Sequence, residues 1–231
     1  MNQDEAEIYK APVKNYKVYI AIAPRGEPFD ESMDSLLNMI RFTQNAGIVV
    51  ALEKIRRGAP GWHNCGPAIS HFLKTDCTHA FAAADDMLYP PDTIIRLLND
   101  DKDIISGIYR KAYVTRTEPA NSCRSAEEWQ QRYDSKGVYE TDFCPGHTML
   151  VKREVYEKMV IDYPELAYVN NDDPTESFYG FFLPIIEDRR AYESDWAFSM
   201  RAKQSGFKIW TDYGCRCKHY CYEFLGFEAE V

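Results

Sequence analysis

"HAFAAADDMLYPPDTIIRLL", His79 to Leu98, passes from small apolar residues into two adjacent carboxylates, then two prolines, then an apolar helical pattern. Its opening, "HAFAAAD", reads as a buried strand, because a short apolar run that ends in turn-forming residues suits a strand covered on both faces. Its close, "PPDTIIRLLND", reads as a helix with the prolines in its first turn, where a missing N–H leaves no bond unmade. The flanking sequence repeats the alternation. Upstream, "KVYIAIAP" (Lys17 to Pro24) is a strand. It is followed by a helix over "FDESMDSLLNMIRFTQNAG", with Asp30 or Ser32 as N-cap, Leu36, Leu37, Met39 and Ile40 as apolar stripe, and Gly47 as stop. "IVVALEKI" is a second strand, and "NCGPAISHFLKT" a short helix opening near Pro67. Downstream, "KDIISGIY" is another strand. Strands alternating with helices imply the α/β class, a mostly parallel sheet flanked by helices. Ligands of such sheets bind beyond the carboxyl ends of the strands, and Asp85 and Asp86 stand at one of those ends.

The bulk composition fits one domain. The 231 residues are 45% hydrophobic and 14% aromatic, enough for a substantial core. A formal charge of −9 argues against a protein built mainly to grip a long phosphate backbone, which needs clustered Lys and Arg. The first sixteen residues are polar and read as an N-terminal arm, with residues 17–231 as the domain. No apolar run reaches the roughly 18 residues of a membrane span, and the N-terminus has no apolar signal region, so a cytoplasmic protein is expected. Seven cysteines, an odd number in a chain of this size, suit reduced thiols better than a disulfide framework.

The second half is less regular. "YRKAYVTRTEPANSCRSAEEWQQRYDSKG" and "DYPELAYVNNDDPTESFYGFF" read as long loops with short elements, and their aromatics favour ordered, substrate-facing loops. "ESDWAFSMRAKQSG" is a helix closed by Gly206, and "FKIWTD" a following strand.

A pair of aspartates often serves only to cap a turn. Here a buried strand delivers both into a sheet-end crevice, where they offer hard oxygen ligands for Mg²⁺ or Mn²⁺ and, through the ion, for a diphosphate. The order of strand, acidic cluster, Met87-Leu88-Tyr89, Pro90-Pro91-Asp92 and Leu-rich helix resembles the metal-binding segment of GT-A-fold nucleotide-sugar glycosyltransferases, especially small family-two-type enzymes of phages and bacteria. The resemblance continues through "DIISGIYRK", "CPGHTMLVKREVYEKM" and "ESDWAFSMRAKQSGFKIWTD" to "KHY", in the family's order, from about Tyr16 to Tyr222.

That resemblance implies a nucleotide-sugar-binding half over 17–110 and an acceptor-binding, catalytic half over 111–231. It implies a divalent ion held by Asp86, with Asp85 on the ribose or a metal-bound water and His219 as a further metal or diphosphate ligand. The family writes its motif as Asp-x-Asp; this chain has Ala84 at the first position. The family's Glu-Asp becomes Ser194-Asp195, with Glu193 either a displaced acid or an N-cap. Asp195 matches the family's aspartate, and its implied role is general base toward the acceptor hydroxyl with inversion at the anomeric carbon. A carboxylate that merely complements the helix dipole is the plainer alternative. Pro24 and Arg25 in "APRG", Glu53, Arg57 and Asn64 lie where nucleotide contacts are expected. Gly107, Tyr109, His147 and Trp196 are candidates to line the donor-sugar and acceptor pockets, and Gly146 can serve a turn.

Cys215, Cys217, His219 and Cys221 have the right atoms for zinc. Alternate residues of an extended segment lie roughly 6.5 Å apart and the four span about 20 Å, whereas tetrahedral Zn–S bonds are about 2.3 Å. One face of an extended segment is the better reading.

The expected activity is therefore metal-dependent transfer of a sugar from a nucleoside-diphosphate donor, UDP-linked by preference. Its acceptor is a glycan, a protein or a hydroxymethylated DNA base, the last needing base flipping. "YRKAYVTR" and "EDRRAY" supply local cations for that case. A nucleotidyl- or phosphoryl-transferase using the same metal–diphosphate geometry, and a non-catalytic nucleotide-sugar-binding module, are the alternatives.

Overall fold

The computed structural model describes residues 15–22, 30–54, 61–109, 137–169, 174–220 and 224–225, of which 61–64, 220 and 224–225 are described by their backbone. Strand β1 (Lys17–Ile22), helix α1 (Asp30–Asn45), β2 (Val49–Lys54), α2 (Gly61–Lys74), β3 (His79–Ala83), a short β4 (Met87–Leu88), α3 (Thr93–Asn99) and β5 (Ile104–Ile108) follow one another. After them come β6 (Val138–Thr141), β7 (Met149–Lys152), α4 (Arg153–Asp162), β8 (Ala167–Val169), β9 (Ser177–Tyr179), β10 (Ile185–Glu187) and β11 (Arg190–Tyr192). The last elements are α5 (Asp195–Gln204), β12 (Ile209–Arg216), β13 (Lys218–Tyr220) and β14 (Phe224–Leu225).

Seven strands form the central sheet in the order β2-β1-β3-β7-β5-β12-β6. β1 is parallel to β2 and β3, and β5 to β12; β7 runs antiparallel between β3 and β5, and β6 antiparallel at the edge. Five strands thus point one way, and the expected class holds: α/β, mostly parallel, flanked by helices.

Alternate residues of each strand face opposite layers. Val18, Ile20, Ile22, Phe81 and Leu150 pack with Leu36 and Met39 of α1 and Ile94 and Leu98 of α3. Tyr19, Ala80, Met149 and Val151 pack on the other face with Phe72 of α2, Tyr156 of α4 and Phe198 of α5. Tyr16, counted with the arm on sequence, is buried edge-on against the His79 ring and belongs to the core.

Several boundaries differ from the sequence reading. Pro90 and Pro91 precede α3 instead of occupying its first turn. The carbonyl of Pro90 accepts from both the N–H and the hydroxyl of Thr93, so this turn feeds the helix. α2 encloses Pro67 within its span and opens six residues earlier, at Gly61. α1 begins at Asp30, and Ser32 is buried inside it rather than capping it. Gly47 and Gly206 close their helices with φ of +83° and +91°, the left-handed conformation glycine adopts without strain. The last sheet strand extends beyond "FKIWTD" to Arg216, with an irregular register against β5 between Thr211 and Arg216.

Candidate active site

The site is assembled where the chain leaves β3, passes Ala84 and turns at Asp85 and Asp86 into β4. Asp85 is buried and the Asp86 side chain is 16% exposed. Two long-range links fix this turn. The buried Tyr89 hydroxyl accepts from the Ala84 N–H at 2.9 Å and donates to the His147 carbonyl at 2.8 Å. Its backbone is tied to α1, since the Tyr89 N–H donates to Ser35 Oγ at 2.6 Å. The second link is the pairing of β4 with β13, which sets Met87 opposite His219. Asp86 and His219 are 133 positions apart in the chain, yet His219 Nε2 lies 3.2 Å from Asp86 Oδ2.

A second imidazole completes the surroundings, with His147 Nδ1 3.9 Å from Asp86 Oδ1. The Tyr109 ring stands edge-on to both, its centroid 5.9 Å from that of His147 and 5.3 Å from that of His219. Its phenol is pushed well above the ordinary range, by burial first and by the Asp195 carboxylate second, with Asp86 a smaller contributor. Tyr109 therefore lies within the fields of both carboxylates.

Asp195 is the first residue of α5. Its Oδ2 accepts from the Gly146 N–H and its Oδ1 from the Trp196 N–H, both at 3.1 Å. A Cβ on Gly146 would lie 3.2 Å from the Asp195 Cβ, so this glycine permits a close approach as well as a turn. Ser194 precedes with φ +47° and ψ −112°, and the Trp196 N–H closes the turn onto the Glu193 carbonyl at 3.1 Å. That is the geometry of the first central residue of a type II′ turn, which favours glycine. A strained residue beside a carboxylate is a reason to look for function there. Trp196, 36% exposed, stacks on Phe143 with centroids 3.8 Å apart and on Tyr192 at 6.1 Å.

The structure thus brings together Ala84, Asp85, Asp86, Tyr109, His147 and His219, binds Asp195 to Gly146 beside His147, and places Trp196, with Glu193 just before Asp195 in the chain, against Phe143 at the far end of the 143–147 segment. Other residues singled out in the sequence sit differently. Glu53 accepts from the Tyr19 hydroxyl, and His71 Nδ1 lies 2.6 Å from its Oε1, so it is already engaged. Gly107 has a packing reason to be glycine: a Cβ there would lie 2.6 Å from the Cys215 carbonyl oxygen. Cys215 and Cys217 are buried in the core cluster beside α1 and α3. Pro24, Arg25, Arg57 and Cys221 lie outside the described residues, as do residues 110–136, and Asn64 falls in α2 with its side chain undescribed. Sequence reading quoted Tyr89 in the family-like segment without giving it a role, and passed over Ser35, Phe143 and Tyr192. Only Tyr89 carried a signal, an aromatic residue wedged between an acidic turn and two prolines.

Two donors held at right angles at ligand distances of about 2.1 Å stand about 3.0 Å apart. The 3.2 Å between Asp86 Oδ2 and His219 Nε2 fits that spacing. Among the described residues no three His, Cys, Asp or Glu side chains form a ready-made metal cluster. The same 3.2 Å is also a hydrogen-bond distance; were an ion bound, the carboxylate and imidazole would leave positions for phosphate oxygens and water.

No family model and no curated protein matches the chain. Solved structures resemble it faintly. The catalytic domain of Drosophila β1,4-galactosyltransferase 7, in complex with xylobiose, gives a TM-score of 0.46 at 12% identity over 85% of this chain. HddC from Yersinia pseudotuberculosis, complexed with GMP-PN, gives 0.37 at 11% identity, covering 82% of this chain and 97% of its own. The inositol-1-phosphate CTP transferase of T. maritima gives 0.35 at 11%, covering 86% and 89%. The chain spans 65% of the galactosyltransferase domain's length. Likenesses this faint leave the chemistry to be read from the site's own residues. Among the described residues, no helix is long and apolar enough to cross a membrane.

Proposed function

We propose that this protein is a metal-dependent glycosyltransferase, moving a sugar from a nucleoside diphosphate, UDP by preference, to an acceptor hydroxyl. The observation that carries the reading is the meeting of Asp86 with His219 at the exit of β3, with the Asp195 carboxylate bound to the N–H of Gly146, the neighbour of His147. Asp86 and His219 would hold Mn²⁺ or Mg²⁺. Bound there, the ion would neutralise charge developing on the departing phosphate.

The remaining work falls to side chains and backbone. Asp195 takes the proton of the acceptor hydroxyl, whose oxygen bonds to the anomeric carbon as the bond from that carbon to the diphosphate oxygen breaks. Both electrons of the broken bond leave with the nucleoside diphosphate. Attack from the side opposite the leaving group inverts the anomeric centre. The Gly146 N–H and the Trp196 N–H fix the Asp195 carboxylate in place, so little reorganisation is needed when the proton moves. Tyr109 stays protonated, because burial and the Asp195 carboxylate push its phenol well above the ordinary range.

The test is release of free nucleoside diphosphate from a panel of nucleotide sugars with Mn²⁺. Asp86→Ala and Asp195→Asn should each lower that release by at least ~100-fold. The Asn variant keeps an oxygen for the Gly146 N–H, which separates loss of the base from loss of the turn. Normal turnover in either variant removes that residue's role, and release of pyrophosphate from a nucleoside triphosphate and a sugar 1-phosphate, with no nucleoside diphosphate released from any nucleotide sugar, would make the enzyme a nucleotidyltransferase.

A further inference from the structure

The residues between β6 and β7 run the length of the site in one direction. His147 lies beside Asp86, Gly146 donates to Asp195, and Phe143 stacks on Trp196. The site therefore has a linear order: diphosphate end, base, aromatic rings. We infer that the Tyr192–Trp196–Phe143 stack is the acceptor subsite and that it receives the apolar face of a pyranose ring. This inference rests on the glycosyltransferase reading.

Three observations carry it. The stack is continuous with the base, since Trp196 follows Asp195 directly and its N–H is bound to that carboxylate. The three rings are nearly parallel, with planes 21° apart for Phe143 and Trp196 and 23° for Tyr192 and Trp196. Trp196 is 36% exposed, and Tyr192, with its centroid 6.1 Å away, covers it less closely than Phe143 does at 3.8 Å.

The chemistry of the rim chooses among occupants. The negative face of an aromatic ring attracts the polarised C–H groups on one face of a pyranose. The exposed Glu193 and the Asp195 carboxylate beside it accept hydrogen bonds from sugar hydroxyls and oppose a phosphodiester. A serine or threonine side chain offers no flat surface for three rings to cover. Of the acceptor classes, the stack fits a glycan.

The experiment uses the intact chain and saturation-transfer NMR with methyl β-glucopyranoside, methyl β-galactopyranoside and methyl β-xylopyranoside. Alongside run a single-stranded oligonucleotide containing 5-hydroxymethylcytosine and a serine-rich peptide. Saturation should pass to the ring C–H protons of at least one glycoside. Trp196→Ala should lower it by at least ~5-fold and Trp196→Phe should keep most of it. Calorimetric affinity for UDP with Mn²⁺ should stay within ~2-fold of the parent in both variants, as expected of a ring remote from the diphosphate end. If Trp196→Ala fails to fold, Tyr192→Ala on the exposed hairpin provides the same readout. Undiminished transfer in the folded alanine variant, or binding of the oligonucleotide or peptide in preference to every glycoside, overturns the inference. Absence of nucleoside diphosphate release with any donor, while glycoside transfer still depends on Trp196, overturns the glycosyltransferase reading and leaves the sugar subsite standing.

Discussion

Asp100 ends α3 with three disadvantages at once. It lies among the helix's terminal carbonyls, near the buried Asp212, and its Oδ2 is buried without a hydrogen-bond partner among the described residues. Burial first and Asp212 second push its carboxyl up to about 7, against the opposing pull of Arg96 and Lys102. The native state therefore holds a proton here that the unfolded chain, with an ordinary carboxylate, has released. Stability from this group is fully present below about pH 4 and is lost as pH rises toward 7. Asp100→Asn should match the parent near pH 4 and melt higher at pH 8, by roughly 2–4 °C if the carboxylate costs about 1 kcal/mol. Thermal melts at the two pH values check this, and an equal gap at both would show that the cost is not one of ionisation. None of this could be read from "LLNDDKD", because the burial and the second carboxylate come from β12.

Helices and strands are fastened to one another by a few cationic side chains acting on carbonyls. Arg153, at the start of α4, donates to the carbonyls of Phe72, Leu73, Thr75 and Cys77, at 2.7 to 3.2 Å, so one guanidinium closes the end of α2 and the approach to β3. Its plane also lies over the Phe72 ring, 4.6 Å from the centroid. Arg201 of α5 does the same for the carbonyls of Phe181 and Leu183. Removing the Arg153 fork leaves several carbonyls short of donors, and Arg153→Ala should cost about 2–4 kcal/mol in urea denaturation. Arg153→Lys should restore only part, because an ammonium cannot span the same fork; full restoration by lysine would assign the effect to charge alone. On sequence, "KREV" was legible as part of the family pattern, but neither as the start of a helix nor as the clamp on an element about eighty positions earlier.

At the scale of the whole molecule, the site depends on closure of the β13 strand onto β4, which carries His219 to Asp86. A ligand spanning those two side chains ties together segments that are otherwise joined by one short antiparallel pair. UDP with Mn²⁺ should therefore slow amide hydrogen exchange in both 87–88 and 218–220. Protection confined to one of the two would show that the ligand does not bridge them. The alternation of strands and helices and the sheet-end position of Asp85 and Asp86 were set by the sequence alone. Hydrophobic period and turn residues act between neighbours a few positions apart, and the chain "HAFAAADDMLYPP" contains all that such a reading needs. The family pattern also marked His219 and Asp195 as members of one site. The tertiary structure alone decided that His147 stands beside Asp86, that Phe143 and Tyr192 stack with Trp196, that Gly107 yields its space to Cys215, and that Glu53 is engaged by Tyr19 and His71. Each of those contacts depends on which strands pair and in what register, a choice made by burial over the whole sheet that no local window of residues contains.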